Sequence, residues 1–212
     1  MISAEAKELL LQFSMRPQPP PLQSTTICAT NDEVDAVNTY CLHSLHGPLY
    51  TFKSVDYGRR QWLNSVATRM LNVKVGAKVM LTVNINVKDK LVNGRTGIVT
   101  NVKSHLAVTF EKDSQPTIVR RFKFHTRTGS RLQYPLKLCW ARTVHKTQSI
   151  TIPGPVHIIA THITQPGQLA VALSRAQNES MISLSGTLHP PPNRPEIAAF
   201  YTFIAEVKCG VI

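Results

Sequence analysis

PLKLCWARTVHKTQS, Pro135–Ser149, is the stretch whose reading decides the fold of this 212-residue chain. Its first half is apolar enough for a strand over Leu136–Trp140. Its second half, Thr143–Ser149, gathers hydroxyl, imidazole, ammonium and amide groups. An apolar strand that ends in a polar cluster is the pattern of an open α/β sheet, whose ligands bind at the strand ends where the N–H groups of the next helix point. Thr, His and Lys side chains all donate hydrogen bonds to phosphate oxygens, so the cluster suits a nucleic-acid backbone or a nucleotide. Taken singly, His145 also reads as a surface histidine and Lys146 as solvated charge; their adjacency weighs against a purely structural role.

Downstream, Val156–Ala160 is a continuous apolar run that suits a buried parallel strand. Pro166-Gly167 opens a helix through Val171, Ala172 and Leu173 to Arg175, and Met181–Leu184 reads as a last strand. Arg175 closes the apolar helix QLAVALSRA, Gln168–Ala176. It is either a structural ion-pair partner or a cation aimed across an interface at a transferring phosphoryl group. Upstream, Ser3–Phe13 reads as a helix with Leu9, Leu10 and Phe13 on one side, stopped by Pro17 and the stiff Pro19–Pro21 connector. Thr25–Ala29 is a strand. Thr30 and Glu33 have capping-box spacing, and Val34, Val37, Cys41, Leu42 and Leu45 fall on one face of the following helix. Asp32-Glu33 reads as charge complementing the helix dipole rather than as a metal-binding pair.

The middle of the chain has a different period. Val73–Val83 alternates apolar and polar residues as a strand does, Asn93-Gly94 makes a tight turn, and Gly97–Val99, Leu106–Phe110 and Ile118–Phe124 are further short strands. Such a run predicts a small antiparallel barrel inserted into the α/β domain. Its last strand is basic (Arg120, Arg121, Lys123, Arg127, Arg131), with Phe122 and Phe124 on the other face, read as core rather than as stacking platforms. Thr51–Arg131 holds 16 of the 24 Lys and Arg but 4 of the 12 Asp and Glu, so the whole formal charge of +12 sits in this block. A basic excess so confined points to a polyanion partner, through counterion release. The composition, 42% hydrophobic and 17% charged, is that of a globular chain. Four cysteines without a CxxC pair fit a reducing compartment and no structural metal. No apolar run approaches the roughly 18 residues of a membrane span.

In order, CATNDEVDAVN (Cys28–Asn38), KVGAKVMLTVN (Lys74–Asn84), LVNGRTGIV (Leu91–Val99), PLKLCWARTVHKTQS (Pro135–Ser149) and PGQLAVALSRA (Pro166–Ala176) closely resemble the C-terminal half of Pif-type helicases. These are RecD-like superfamily 1 enzymes with relatives in Helitron-type transposons. The resemblance runs from about Arg16 to Tyr201. It implies a second RecA-like domain, a parallel sheet with flanking helices, interrupted by a Src-homology-three-like barrel. The expected layout is an N-terminal helix and Pro-rich connector (1–22), the discontinuous second RecA-like domain (23–72 and 132–188), the basic barrel (73–131) and a Pro-rich tail (189–212). Thr143, His145 and Lys146 match the motif that contacts the DNA backbone, Asn31 and Asn38 lie at the edge of the DNA track, and Arg120, Arg121 and Lys123 are the barrel's phosphate contacts. Gln148 falls near the nucleotide, and Arg175 matches the arginine that reaches the γ-phosphate. Such motors move 5′ to 3′ on single-stranded DNA with ATP and magnesium.

Two positions depart from the family pattern: Ser149 stands where glycine is usual, and Ala170 where many relatives have tyrosine. A larger departure is the first RecA-like domain, expected to be absent. The phosphate cradle GxxxxGK[ST] needs a Gly-Lys dipeptide, and the sequence has none; nor does an acidic pair follow an apolar strand to hold magnesium. ATP and magnesium are therefore expected only where a first RecA-like domain is supplied, upstream or in trans. The expected function is the C-terminal segment of a DNA helicase, inactive as an ATPase by itself. A stand-alone single-strand-binding module and a non-functional mobile-element remnant are the alternatives. DNA work, including repair and recombination, places the expected location in the nucleus, with the mitochondrion as the alternative.

Overall fold

The structure, a computed structural model, describes residues 4–59, 62–165 and 167–187. The Pro-rich tail expected at 189–212, Cys209 included, lies outside them. The chain divides into two compact units, one from the described residues of 1–37 and 140–212, the other from those of 38–139.

Helix α1 (Ala4–Met15) opens the chain, followed by strand β1 (Thr25–Cys28) and helix α2 (Asn31–Ser44). Then come β2 (Tyr50–Lys53), β3 (Val55–Gly58), the single turn α3 (Leu63–Val66) and β4 (Met70–Val73). Strands β5 (Lys78–Leu81), β6 (Thr96–Asn101), β7 (Ala107–Phe110) and β8 (Thr117–Ile118) follow. The antiparallel part closes with β9 (Phe122–His125), β10 (Gly129–Gln133) and β11 (Leu136–Leu138). Strand β12 (Ala141–Thr143) runs into a 3-10 turn at Val144–Thr147, before β13 (Val156–Ile159), α4 (Gln168–Leu173) and β14 (Ile182–Ser185).

In the first unit a four-stranded sheet has the order β12-β1-β13-β14, with every pairing parallel. One strand comes from before the long insertion and three from after it, as the interrupted α/β reading requires. One face of the sheet is apolar. Ile27, Val156, Ile158, Ile182 and Leu184 pack there with Phe13 of α1, Val144 and Ala172 of α4. That burial is the main driving force for this unit, since each fully buried aliphatic contributes about 1.5–3 kcal/mol. Arg16 pins the start of the connector, donating from Nη1 to the Ile182 carbonyl at 3.1 Å.

The other face is polar and still buried. His157 lies between two serines, Nδ1 at 2.8 Å from Ser183 Oγ and Nε2 at 2.9 Å from Ser185 Oγ. Burial pushes its pKa below the usual imidazole value, which favours the neutral ring.

In the second unit all strand pairings are antiparallel, drawn as three ladders: β11-β5-β6-β7-β8, β3-β10-β9 and β2-β4. The compact unit is wider than the 73–131 expected from the sequence. Tyr50–Lys53 pairs with Met70–Val73, and Val55–Gly58 with Gly129–Gln133, which draws residues 50–72 into the antiparallel part. The sequence hid this because each strand is four residues long, too short for alternation to register.

The long alternating run Val73–Val83 is likewise not one strand. The chain turns at Gly76 (φ +88°), a left-handed conformation that glycine adopts freely, and passes from β4 to β5, which pairs with β6 and β11. Leu136–Trp140 also divides: β11 pairs antiparallel with β5, and the parallel strand begins at Ala141.

Candidate nucleic-acid interface

The carboxyl ends of β1 and β12 carry Asn31 and the Thr143–Ser149 cluster that the sequence singles out. After β1 the capping box forms as its spacing predicts. Thr30 Oγ1 accepts the Glu33 N–H at 3.3 Å, and Glu33 Oε2 accepts the N–H groups of Ala29 and Thr30, each at 3.1 Å. Its other oxygen, Oε1, lies 2.7 Å from Nδ1 of His162, three residues beyond β13. Burial works to raise the Glu33 carboxyl, but the bonds from His162 and Thr30 outweigh it and hold the carboxyl below its usual value. Cys28, at the end of β1, is buried. Burial first, and the Glu33 charge second, push its thiol up to about 12, so it is an inert thiol at neutral pH.

After β12 the 3-10 turn sorts the cluster into two sets. Thr143, Val144 and Thr147 are buried, and Thr147 Oγ1 donates to the Val144 carbonyl at 2.7 Å. His145, Lys146 and Gln148 are exposed. Thr147 ties the turn to itself, while the exposed set presents an imidazole, an ammonium and an amide to solvent. Ser149 then takes φ 63°, the left-handed region. That is the conformation a glycine would hold without strain, which gives the departure at this position a physical meaning.

Arg175 follows α4, half-buried. Nε donates to the Val171 carbonyl at 3.0 Å, Nη1 to the Ile150 carbonyl at 3.2 Å, and Nη2 to Ser174 Oγ at 2.9 Å. The Ile152 N–H donates back to the Arg175 carbonyl at 2.8 Å. The two motifs read separately in the sequence, Thr143–Ser149 and Gln168–Ala176, are therefore joined through Ile150–Ile152. Of the two asparagines, Asn31 is exposed as the first residue of α2, whereas Asn38 is buried at 6% exposure.

In the antiparallel unit the cations have different fates. Arg120 and Lys123 are exposed, and Lys123 Nζ stands 5.7 Å from the Tyr57 ring centroid. Arg121 donates to the Lys53 carbonyl at 3.0 Å and lies over the Tyr134 ring. Arg131, read as part of the basic wall, is not available to a ligand. It is 2% exposed and paired bidentately with Asp56, at 2.7 and 2.9 Å, with further bonds to Asn64 and the Ala67 carbonyl. No local pattern signals this, since Asp56 is 75 residues away. Lys74 is also consumed, capping α2 through the carbonyls of His43 and Leu45. Phe124 is core, as read, but Phe122 is exposed.

Among the described residues no group of three His, Cys, Asp or Glu side chains could hold a metal ion, and no helix is long and apolar enough to cross a membrane. The donors at the sheet edge are an imidazole, an ammonium and an amide, with the Arg175 guanidinium beyond them. They suit phosphate oxygens but do not by themselves fit an ATP–magnesium complex, which needs carboxylates and a backbone cradle.

Residues 61–102 match the family model of the 2B domain of DNA helicase Pif1. The chain is 35% identical over 167 residues to the ATP-dependent DNA helicase PIF1 of Danio rerio, covering 73% of this chain and 26% of that protein. It is 28% identical over 191 residues to Pif1 of Campylobacter jejuni, covering 77% of this chain and 42% of that one. Among solved structures, Pif1 helicase from Candida albicans superposes with TM-score 0.78 at 25% identity, over 96% of this chain and 55% of that chain. Bacteroides Pif1 bound to single-stranded DNA shares the fold, with TM-score 0.78 at 23% identity over 97% and 51%. The chain thus spans between a quarter and a half of the length of these two curated relatives.

Proposed function

Because the chain belongs with the Pif1-type superfamily 1 helicases and matches only part of their length, we propose that it is the C-terminal segment of an ATP-dependent 5′–3′ DNA helicase. It contributes single-stranded DNA contacts and an arginine finger, and takes its phosphate site from a first RecA-like domain upstream or in trans. The observation that carries this reading is the joined sheet edge. His145, Lys146 and Gln148 project from a turn whose continuation, Ile150–Ile152, is bonded to Arg175.

In this reading His145 and Lys146 bind backbone phosphates, and the exposed cations Arg120 and Lys123, with Arg121, make the antiparallel unit attractive to the same polyanion. Gln148 faces the nucleotide. Arg175, once released from its local carbonyls, supplies positive charge to the γ-phosphate, which positions and stabilises the transferring group. ATP with magnesium supplies the energy for stepping when a first RecA-like domain holds it. Nuclear DNA is the proposed substrate pool, mitochondrial DNA the alternative, and repair and recombination the proposed settings.

A second reading rests on Arg175 itself. Its three local hydrogen bonds are what a purely structural arginine would make, and they favour a single-strand-binding module without a part in hydrolysis. The test is oligonucleotide binding by the pure chain against salt concentration, without nucleotide. Both readings require steep salt dependence. Each of Arg120→Ala and Lys123→Ala lowers the slope of log affinity against log salt by about 0.7. Salt-independent binding, or none, removes both readings.

A further inference from the structure

Beside the exposed ring of Phe122 the antiparallel unit holds an open groove of about 180 Å³, bounded by Ile85, Leu91, Phe110, Ile118 and Arg120. It lies below the roughly 300 Å³ at which pockets for small-molecule cofactors begin. Its lining is mainly apolar, and parts of it face water: Ile85 is 40% exposed, Ile118 55% and Phe122 36%. Phe122 is held rather than loose, because its ring meets the buried Phe124 edge-on, centroids 5.1 Å apart at 71°. Arg120, which also lines the groove, is exposed. Asp113, on the chain just beyond Phe110, is already paired with Arg95 at 2.6 Å. An open apolar groove with a held aromatic wall and an exposed cation among its lining residues suits a planar ring carried on a phosphate chain.

We propose that this groove seats one unstacked base of single-stranded nucleic acid, stacked on Phe122, with the adjoining phosphate on Arg120. The assignment rests on the single-strand-binding reading above and adds to it a contact with the base as well as the backbone. The charge of the surrounding block makes a polyanion the complementary occupant, and the apolar slot explains why an aromatic ring stays exposed there. Every base offers a π-face, so the seat is tolerant of sequence.

The test uses the full chain and two oligonucleotides of about ten nucleotides, within the usual site size, one intact and one with its bases removed. Both carry the same phosphates. The wild-type chain should bind the intact strand about 10-fold more tightly, a typical effect of losing a stacked base. Phe122→Ala should lose that preference with no change in the salt slope, while Phe122→Trp retains it. Equal binding of the two strands by the wild-type chain, or an undiminished preference in Phe122→Ala, overturns the groove assignment alone. In the second case the groove becomes a candidate for a protein segment instead. Failure of the wild-type chain to bind either strand overturns the single-strand reading, and the groove with it.

Discussion

Arg175 and Ile150 are bonded side chain to main chain: Nη1 donates to the Ile150 carbonyl at 3.2 Å, and the neighbouring Ile152 N–H returns a bond to the Arg175 carbonyl at 2.8 Å. The arginine thus helps fold the edge it is proposed to serve. Lysine at this position keeps the charge but loses the planar fork that reaches Val171, Ile150 and Ser174 together. Arg175→Lys should cost about 1–2 kcal/mol of stability in a denaturant melt. DNA affinity should stay within about twofold, since the charge remains. Unchanged stability would mean that the local bonds contribute nothing.

Ser149 pays for its left-handed backbone. At φ 63° a residue with a Cβ is strained by about 1–2 kcal/mol, while glycine returns part of that gain through its freer unfolded chain. Ser149→Gly should therefore raise stability by about 0.5–1 kcal/mol, and Ser149→Val should lower it. Thermal melts of the two variants check the order. A destabilised glycine variant would contradict it.

The Arg131–Asp56 pair is buried on both sides, with side-chain exposures of 2% and 6%. Arg131→Ala strands a buried carboxylate, and a loss of about 3–5 kcal/mol is expected. Arg120→Ala, at an exposed position, should change stability by less than about 0.5 kcal/mol. Equal melting of the two variants would refute the assignment of Arg131 to structure rather than to the DNA.

Glu33 gives the fold an acid-sensitive joint. Its carboxyl titrates below its ordinary 4.5 in the folded chain, because His162 and Thr30 outweigh its burial. The stabilisation is complete above that unfolded value and disappears as pH falls through the lower folded one. The melting gap between wild type and Glu33→Gln should thus be full at neutral pH and close as pH falls below the ordinary 4.5. A gap that stays constant with pH would show that charge plays no part.

What the sequence disclosed follows from how local each signal is. The Thr30–Glu33 cap needed three residues of spacing, and it forms. Val156–Ile159 needed only its run of apolar residues to read as a buried parallel strand, and it lies between β1 and β14. The alternation of Val73–Val83 was real but misled, because the period of two carries across the turn at Gly76 without recording it. Pairing between distant residues leaves no local trace: Arg131 reads as one more surface cation because its partner is Asp56, and His162 carries no signal because its partner is Glu33. Within the candidate edge, residue type identified the Thr143–Ser149 cluster. Only the fold shows that Thr143 and Thr147 are buried, with Thr147 bonded into the turn, and that His145, Lys146 and Gln148 are exposed.

The most direct test of the half-motor reading is DNA-stimulated phosphate release, measured on the chain alone and on the chain joined to the first RecA-like domain of a Pif1 relative. The expected result is no release by the chain alone, and release by the joined protein that falls by about 10³-fold or more in Arg175→Ala. Steady release by the pure chain, or a joined protein indifferent to Arg175→Ala, would contradict it.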